Sequence, residues 1–324
     1  MKVGIIGSKG NVGSKRSDIL VKSFSGIKQC LYDITDTKWF SNPVDFLKST
    51  ELDAVFICVP HTLTKALVID ALDMGMHVFA EKPPGICLND VNEMHDAYVR
   101  NKKKNNKLKL KFGFNHRYYH HIQLAKKTIE SGQLGRILWM RGLYGKVDFE
   151  NWRADKELAG HGILISQGIH MVDLFRYLSG EEFENPKCLV SHFKKEWFED
   201  DVMALMKSKE TGISSFLHSS CLMGQNTFNL MIGMENGYIK INGLFTRTKS
   251  FGFPEEVRIA HNDLCHFYGN PVEVVTTFGD DLSWTLEMKE FFDAIEKDQP
   301  IVHGTLNDAT EVMALIDKIY EADK

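Results

Sequence analysis

The sequence predicts an α/β protein in two parts: a parallel sheet covered by helices, then a largely antiparallel sheet with helices on one face. Three observations lead there. Strand-like and helix-like segments alternate through the first third, a glycine-rich turn follows the first strand at once, and longer strands with hairpin signals begin near Phe114. A length of 324 residues suits two domains.

The β-rich runs of the first part are Val3–Ile6, Gln29–Tyr32, Ala54–Val59, His77–Ala80 and Leu108–Phe114. The third is apolar at consecutive positions, as a strand buried on both faces should be. Helical stretches lie between them. Lys65–Met74 is closed by Gly75, where a left-handed residue belongs. The lysine-rich run 101–107 reads as a solvated turn. Beyond Phe114, strands are predicted at Arg136–Lys146, Cys188–Lys194, Val202–Lys207 and Ser214–Cys221, with hairpin turns at Glu210-Thr211-Gly212 and Glu235-Asn236-Gly237. Two closing helices repeat apolar residues at helical spacing: Met288, Phe291, Phe292 and Ile295, then Ala309, Val312, Met313, Ile316, Ile319 and Tyr320.

Composition narrows the function. A net charge of −4 gives no basic excess for nucleic acid, so no nucleic-acid partner is predicted. No stretch approaches the roughly 18 apolar residues of a membrane helix, and Met1–Gly7 is too short for a signal peptide. The cysteines (Cys30, Cys58, Cys87, Cys188, Cys221, Cys265) are dispersed without a Cys-x-x-Cys pair, against both a disulfide framework and structural zinc. A cytoplasmic protein is expected.

The turn Gly7-Ser8-Lys9-Gly10-Asn11-Val12-Gly13 joins a strand to a helix. Glycines there let the backbone approach a pyrophosphate, and the helix N-terminus offers N–H groups to the anion. Asp33 ends the next strand twenty residues after Gly13, where a carboxylate can accept both ribose hydroxyls of a dinucleotide. It would repel a 2′-phosphate, so NAD is favoured over NADP; Lys9, Lys15 and Arg16 are the nearby cations a phosphate could use instead.

Two further segments carry a family resemblance. Gly75-Met76-His77-Val78-Phe79-Ala80-Glu81-Lys82-Pro83-Pro84 resembles the G-x-H-V-x-x-E-K-P segment of the Gfo/Idh/MocA oxidoreductases. Gly160-His161-Gly162 through Ser166-Gln167-Gly168-Ile169-His170 to Asp173 resembles that family's glycine-rich stretch ending D-x-G-x-H-x-x-D. Asn115-His116-Arg117-Tyr118 and Trp152-Arg153-Ala154-Asp155 fit a subgroup of it. The resemblance spans essentially the whole chain. It implies a Rossmann domain over 1–117, and over 118–324 a substrate-binding and oligomerisation domain on a large, mostly antiparallel open sheet. The final helices, 284–298 and 306–322, are candidates to pack back on the first domain. It also implies a homodimer or homotetramer, a cis peptide before Pro83, and NAD(P)-dependent chemistry at a carbinol of a sugar, inositol or nucleotide sugar.

By that resemblance Lys82 and His170 are the catalytic candidates. Hydride transfer needs a group to move the hydroxyl proton and a site for the developing alkoxide, and an imidazole titrates near working pH. Gly7, Ser8, Lys9, Gly10, Asn11, Val12, Gly13, Asp33, Pro60, His61, Glu81 and Lys82 are the cofactor-side residues. Arg117, Tyr118, Trp152, Arg153 and Ser166 are the substrate-side ones: arginines grip anions bidentately and aromatic rings stack on sugars. Asp173, one turn after His170, is expected to orient its helix or a nearby donor. His116, His120 and His121 lack a carboxylate or cysteine at metal spacing, so no metal is predicted.

Two positions depart from the family pattern. Ser166 stands where an aspartate commonly assists the histidine, and His161 replaces a glycine, either narrowing a pocket or adding a polar contact. The expected activity is that of an NAD-dependent sugar or nucleotide-sugar dehydrogenase. The alternatives are an NAD-retaining enzyme that cleaves glycosides by transient oxidation, and a non-catalytic NAD- or sugar-sensing protein.

Overall fold

The computed structural model describes every residue except Thr37, Trp39, 148–150, 246–250, 263–270 and Lys324, and the side chains of 252–254. Cys265 therefore lies outside the described residues. The chain forms two compact units. The first comprises Met1–Asn115, Glu157–Gly160 and Trp284–Ala314, and the second His116–Lys156, His161–Ser283 and Leu315–Lys324.

In chain order the first 115 residues run β1 (Lys2–Ile6), α1 (Asn11–Ser23), β2 (Lys28–Tyr32), α2 (Pro43–Ser49), β3 (Ala54–Ile57), α3 (His61–Asp73), β4 (His77–Glu81), α4 (Leu88–Lys102) and β5 (Leu110–Gly113). The five strands pair in parallel in the order β2-β1-β3-β4-β5. The order reverses direction between β1 and β3, the switch point at which doubly wound sheets open a crevice for a ligand. α3 begins four residues earlier than its apolar pattern suggests, because Pro60 supplies the extended residue before its first turn. It ends in two bonds around left-handed Gly75 (φ +78°): the Gly75 N–H donates to Leu72 O and the Met76 N–H to Ala71 O.

The chain continues with α5 (His120–Glu130), β6 (Ile137–Gly145), α6 (Lys156–Ala159), α7 (Ile169–Ser179), β7 (Phe183–Ser191), β8 (Asp201–Ser208), β9 (Ser214–Ser220), β10 (Thr227–Met234), β11 (Gly237–Leu244), β12 (Phe251–His261), β13 (Glu273–Phe278), α8 (Ser283–Glu296) and α9 (Leu306–Glu321). α8 closes one face of the parallel sheet. Its Met288, Phe291 and Phe292 join Val3, Ile5, Leu20, Ala54, Phe56 and Phe79 in one buried cluster, with Phe291 edge-on to the stacked rings of Phe56 and Phe79.

The second unit is built on an eight-stranded sheet ordered β13-β12-β11-β10-β6-β9-β8-β7, in which only β6 and β9 pair in parallel. Both expected hairpins are present, at 210–212 between β8 and β9 and at 235–237 between β10 and β11. β7 starts at Phe183, five residues before its apolar run. Pro186 breaks the pattern there, and the register shifts between Glu184 and Lys187, with Asn185 at φ +52°. No disulfide joins Cys30, Cys58, Cys87, Cys188 or Cys221. Among the described residues no helix is long and apolar enough to cross a membrane.

Candidate active site

The glycine turn leaves β1 and enters α1 with its backbone folded tightly on itself. Gly7 has φ +81°, and its N–H and that of Ser8 both donate to Tyr32 O. A Cβ on Gly13 would run into the Gly7 carbonyl, and one on Gly7 into Cys58 O, so both positions require glycine. Gly10 precedes α1 and no side chain caps the first turn. The N–H groups there keep their capacity for an anion.

Asp33 follows β2 directly, beside this turn, and is buried. Its Oδ2 accepts the Lys9 N–H at 2.9 Å, and its Oδ1 accepts the N–H and hydroxyl of Thr35 at 3.0 and 2.7 Å. Burial alone would raise its pKa, but these donors outweigh burial and hold the carboxyl below its ordinary value. The cations nearby are engaged. Lys9 pairs with Asp36 at 3.0 Å, Lys15 lies over the Trp284 ring, and Arg16 is fully buried.

Arg16 holds the end of β4. Its Nε donates to Glu81 Oε1 at 2.9 Å and its Nη2 to Glu287 at 2.5 Å, while the guanidinium lies over the Phe79 ring. Glu81, expected on the cofactor side, thus turns to α1 and α8 and anchors the segment on which Lys82 stands. Lys82 is half-buried, and the bond to Pro83 is cis, as the resemblance implies. Pro60 precedes α3 and His61 opens it. The His61 ring is buried with Nδ1 3.1 Å from Ala159 O, and the Thr62 hydroxyl donates to Glu157 O at 2.8 Å.

In the second unit, His170 is buried in the first turn of α7 and lies flat on His116, with ring centroids 3.6 Å apart and planes inclined by 19°. His116 Nε2 is 3.2 Å from the Tyr144 hydroxyl on β6. Asp173 is fully buried and accepts from Arg117 twice, Nε to Oδ2 at 2.9 Å and Nη2 to Oδ1 at 2.5 Å. Arg117 therefore orients α7, and Tyr118 beside it is buried. Ser166 is buried in a π-helical turn, Leu164–Gly168, just ahead of α7. The other two histidines go elsewhere. His120 faces Asp280 at 3.4 Å, and His121 pairs with Glu255 in the interior.

His161 stacks on Tyr320, centroids 4.6 Å apart, and burial lowers its pKa. Glu199, which nothing in the sequence flags, gathers this loop: it accepts from Gly162 N–H at 2.7 Å, Leu164 N–H at 3.2 Å and the Tyr320 hydroxyl at 2.7 Å. Burial raises the Glu199 pKa against the pull of those donors. Trp152 and Arg153 are half-buried, the guanidinium 4.3 Å above the indole. Burial pulls Arg153 below its ordinary pKa, and burial plus the Arg153 charge bring Lys146 down to about 8.

The fold of the first unit and its glycine turn define a dinucleotide-binding Rossmann domain, and the residues present fit such a ligand. The turn leaves no room for a Cβ where the backbone must approach a pyrophosphate, and Asp33 is held ionised where ribose hydroxyls would lie. The chain is thus a dinucleotide-binding-fold protein whose second unit is a sheet domain carrying the buried His170.

Residues 1–109 match the model of the oxidoreductase family with an NAD-binding Rossmann fold, and residues 122–240 match the GFO/IDH/MocA C-terminal domain. The chain belongs to the Gfo/Idh/MocA family of oxidoreductases, and its first unit is an NAD-binding domain. It is similar to levoglucosan dehydrogenase of Pseudarthrobacter phenanthrenivorans, 34% identical over 138 residues that make up 40% of this chain and 34% of that protein. It is also similar to D-glucoside 3-dehydrogenase of Escherichia coli, 32% identical over 148 residues, 44% of this chain and 40% of that one. The matched segments span from about a third to just over half the length of the curated relatives. The fold is shared along the whole chain with levoglucosan dehydrogenase solved with NADH and levoglucosan: TM-score 0.81 at 22% identity, covering 100% of this chain and 96% of that one.

Proposed function

We propose that this chain is an NAD-dependent dehydrogenase acting on a secondary alcohol or ketone of a sugar or nucleotide sugar, with Lys82 and His170 handling the proton. The observation that carries this reading is that a chain matching both family domains keeps the lysine of Glu81-Lys82-Pro83 and the histidine one turn before Asp173. In the oxidative direction the carbinol C–H bond breaks, its hydride leaves, the hydroxyl proton passes to the protein and the carbinol becomes a ketone. Bound NAD supplies the hydride acceptor, nicotinamide C4. Lys82 stabilises the developing alkoxide and His170 takes the proton. Serine at position 166 offers no negative charge, so His170 works against the His116 ring and the Tyr144 hydroxyl beyond it.

NAD is the preferred form. Asp33 opposes a 2′-phosphate, and Lys9, Lys15 and Arg16 are already engaged. The outer face of the second unit's sheet carries Leu205 opposite Phe216, which fits a homodimer or homotetramer joined through that face. Free thiols at the five described cysteines fit a cytoplasmic setting.

The test is absorbance at the NADH band with NAD-saturated protein and a panel of sugars and nucleotide sugars. One compound should change the band, and Lys82→Ala and His170→Ala should each cut the rate by about 10²–10⁴-fold, with NAD affinity unchanged in His170→Ala. NAD binding with no redox change from any compound would replace this reading with the sensor that Ser166 favours or with the redox-neutral glycoside-cleaving enzyme.

A further inference from the structure

Arg16 stands one turn after Gly13, on the same face of α1. The close approach of Gly13 to the Gly7 carbonyl, which shapes the glycine turn, therefore also fixes where the Arg16 guanidinium lies. That guanidinium is fully buried against the rings of Phe79 and Trp284, 4.4 and 4.5 Å from their centroids. An apolar side chain would fill such a space as well, and a buried ion pair is weak evidence for stability.

What the guanidinium adds is direction. Its Nε and Nη2 lie 2.9 and 2.7 Å from the same oxygen, Glu81 Oε1. Nη2 also reaches Glu287 Oε2 at 2.5 Å, and Nη1 donates to Trp284 O at 3.5 Å. On its far side the Glu81 carboxylate rests on Gly113 of β5, where a Cβ would come within 2.8 Å of Oε2. Held from both sides, the Glu81 side chain keeps one position at the end of β4. The second carboxylate is the weaker partner. Glu287 is fully buried, and its Oε1 has no hydrogen-bond partner among the described residues. Burial raises its pKa to about 7 against the pull of Arg16 and Lys111. Part of the Glu287 population is thus uncharged near neutral pH, and Glu81 is the main counter-ion of Arg16.

Lys82 follows Glu81 directly, and the chain is fixed again at Ile86. The Ile86 N–H donates to Asp90 Oδ2 at 2.9 Å, and Asp90 Oδ1 pairs with Lys65 at 2.9 Å. The backbone of Lys82 is strung between two anchored points, one of them set by Arg16.

We infer that Arg16 is a positioning residue for Lys82: through Glu81 it fixes the lysine's backbone relative to the glycine turn. This rests on the dehydrogenase reading and adds to it a residue that acts only through another.

The test is a double-mutant cycle on the whole protein with saturating NAD. Rates are read at the NADH band with the panel of sugars and nucleotide sugars, glucose, glucose 6-phosphate, UDP-glucose and glucuronate among them; enzyme-excess single turnovers serve for slow variants. With the compound that is oxidised, Arg16→Met should lower kcat about 10–10²-fold, as a small misplacement does, with KM and NAD affinity within about threefold. In the Lys82→Ala background the same substitution should cost less than about twofold, because the lysine it positions is gone. A purely structural loss would cost the same factor in both backgrounds. Glu81→Gln keeps the shape and leaves Arg16 with Glu287, whose ionisation Glu81 no longer opposes. It should repeat the pattern even if Arg16→Met fails to fold.

Equal factors in the two backgrounds, or an unchanged kcat in Arg16→Met and Glu81→Gln, overturn this inference alone. So does a fall in NAD affinity that matches the fall in rate, which would place the effect in the glycine turn. A rate unchanged in Lys82→Ala removes the proposed role of that lysine, and no change at the NADH band with any compound removes the dehydrogenase reading. Either outcome takes this inference with it.

Discussion

Asp173 closes both carboxylate oxygens on the guanidinium of Arg117, and the pair is almost wholly withdrawn from solvent. One residue before Arg117, His116 lies on His170, which stands one turn before Asp173. The 3-10 turn Asn115–Tyr118 and α7 thus meet through two adjacent rungs, one ionic and one stacked. The first sets the rotation of the helix, and the second sets the plane of the imidazole that the proposed chemistry uses.

Breaking the ionic rung from one side leaves a buried charge without its partner. Asp173→Asn should therefore destabilise the protein by about 3–5 kcal/mol, read from the urea midpoint. Arg117→Met combined with Asp173→Leu should cost clearly less, because neither charge remains to be solvated. Equal losses in the single and double variants would show that the pair acts through packing alone.

The glycine turn makes a sharper prediction about ligand than about fold. In Gly13→Ala the new methyl meets the Gly7 carbonyl, and neither the helix nor the strand can move aside cheaply. Strain of about 1–3 kcal/mol is expected, concentrated where the pyrophosphate would lie. NAD affinity followed by tryptophan fluorescence should fall by about tenfold or more, with α-helical circular dichroism preserved. Unchanged affinity would mean that the turn is not where the dinucleotide binds.

Tyr320 and Glu199 are 121 residues apart in sequence and share a 2.7 Å hydrogen bond. Tyr320→Phe removes one of the donors that keep a buried carboxylate in place, and it leaves the ring on which His161 stacks. A hydrogen bond to a charged group contributes about 1.5–3 kcal/mol. A loss of that size in thermal or urea unfolding is expected, with kcat reduced more than KM, because the loop Glu199 anchors leads into the turn that carries Ser166 and from there into α7 with His170. A variant as stable and active as the wild type would remove Glu199 from any positioning role.

What could be read from the sequence follows from how local each signal is. The strand, glycine turn and helix from Lys2 to Ser23 were legible because their chemistry is contained in one short contiguous stretch, and Asp33 because the second strand returns it to the same edge. Arg117 and Asp173 were each visible, but their pairing across 56 residues was not, since an arginine beside a tyrosine reads equally well as a ligand grip. Arg16 reads as a surface cation near the loop, yet Glu81 and Glu287 draw it fully inside. Glu199 sits in an acidic stretch that looks solvated, and Lys146 looks like the frayed end of a strand. Both acquire their meaning only from residues outside their own segments: Gly162, Leu164 and Tyr320 for Glu199, and Arg153 for Lys146.

Lys146 also gives the protein a pH signature. Its pKa falls from 10.5 to about 8 in the folded state, mainly through burial and then through the Arg153 charge. Below about 8 both folded and unfolded chains hold the proton, and the full cost of a buried ammonium weighs on the native state. Between about 8 and 10.5 the unfolded chain keeps a proton that the native state has released. Stability from this group therefore rises with pH across that window, and Lys146→Met should flatten the rise in urea midpoints. The same rise in Lys146→Met as in the wild type would show that another group sets it.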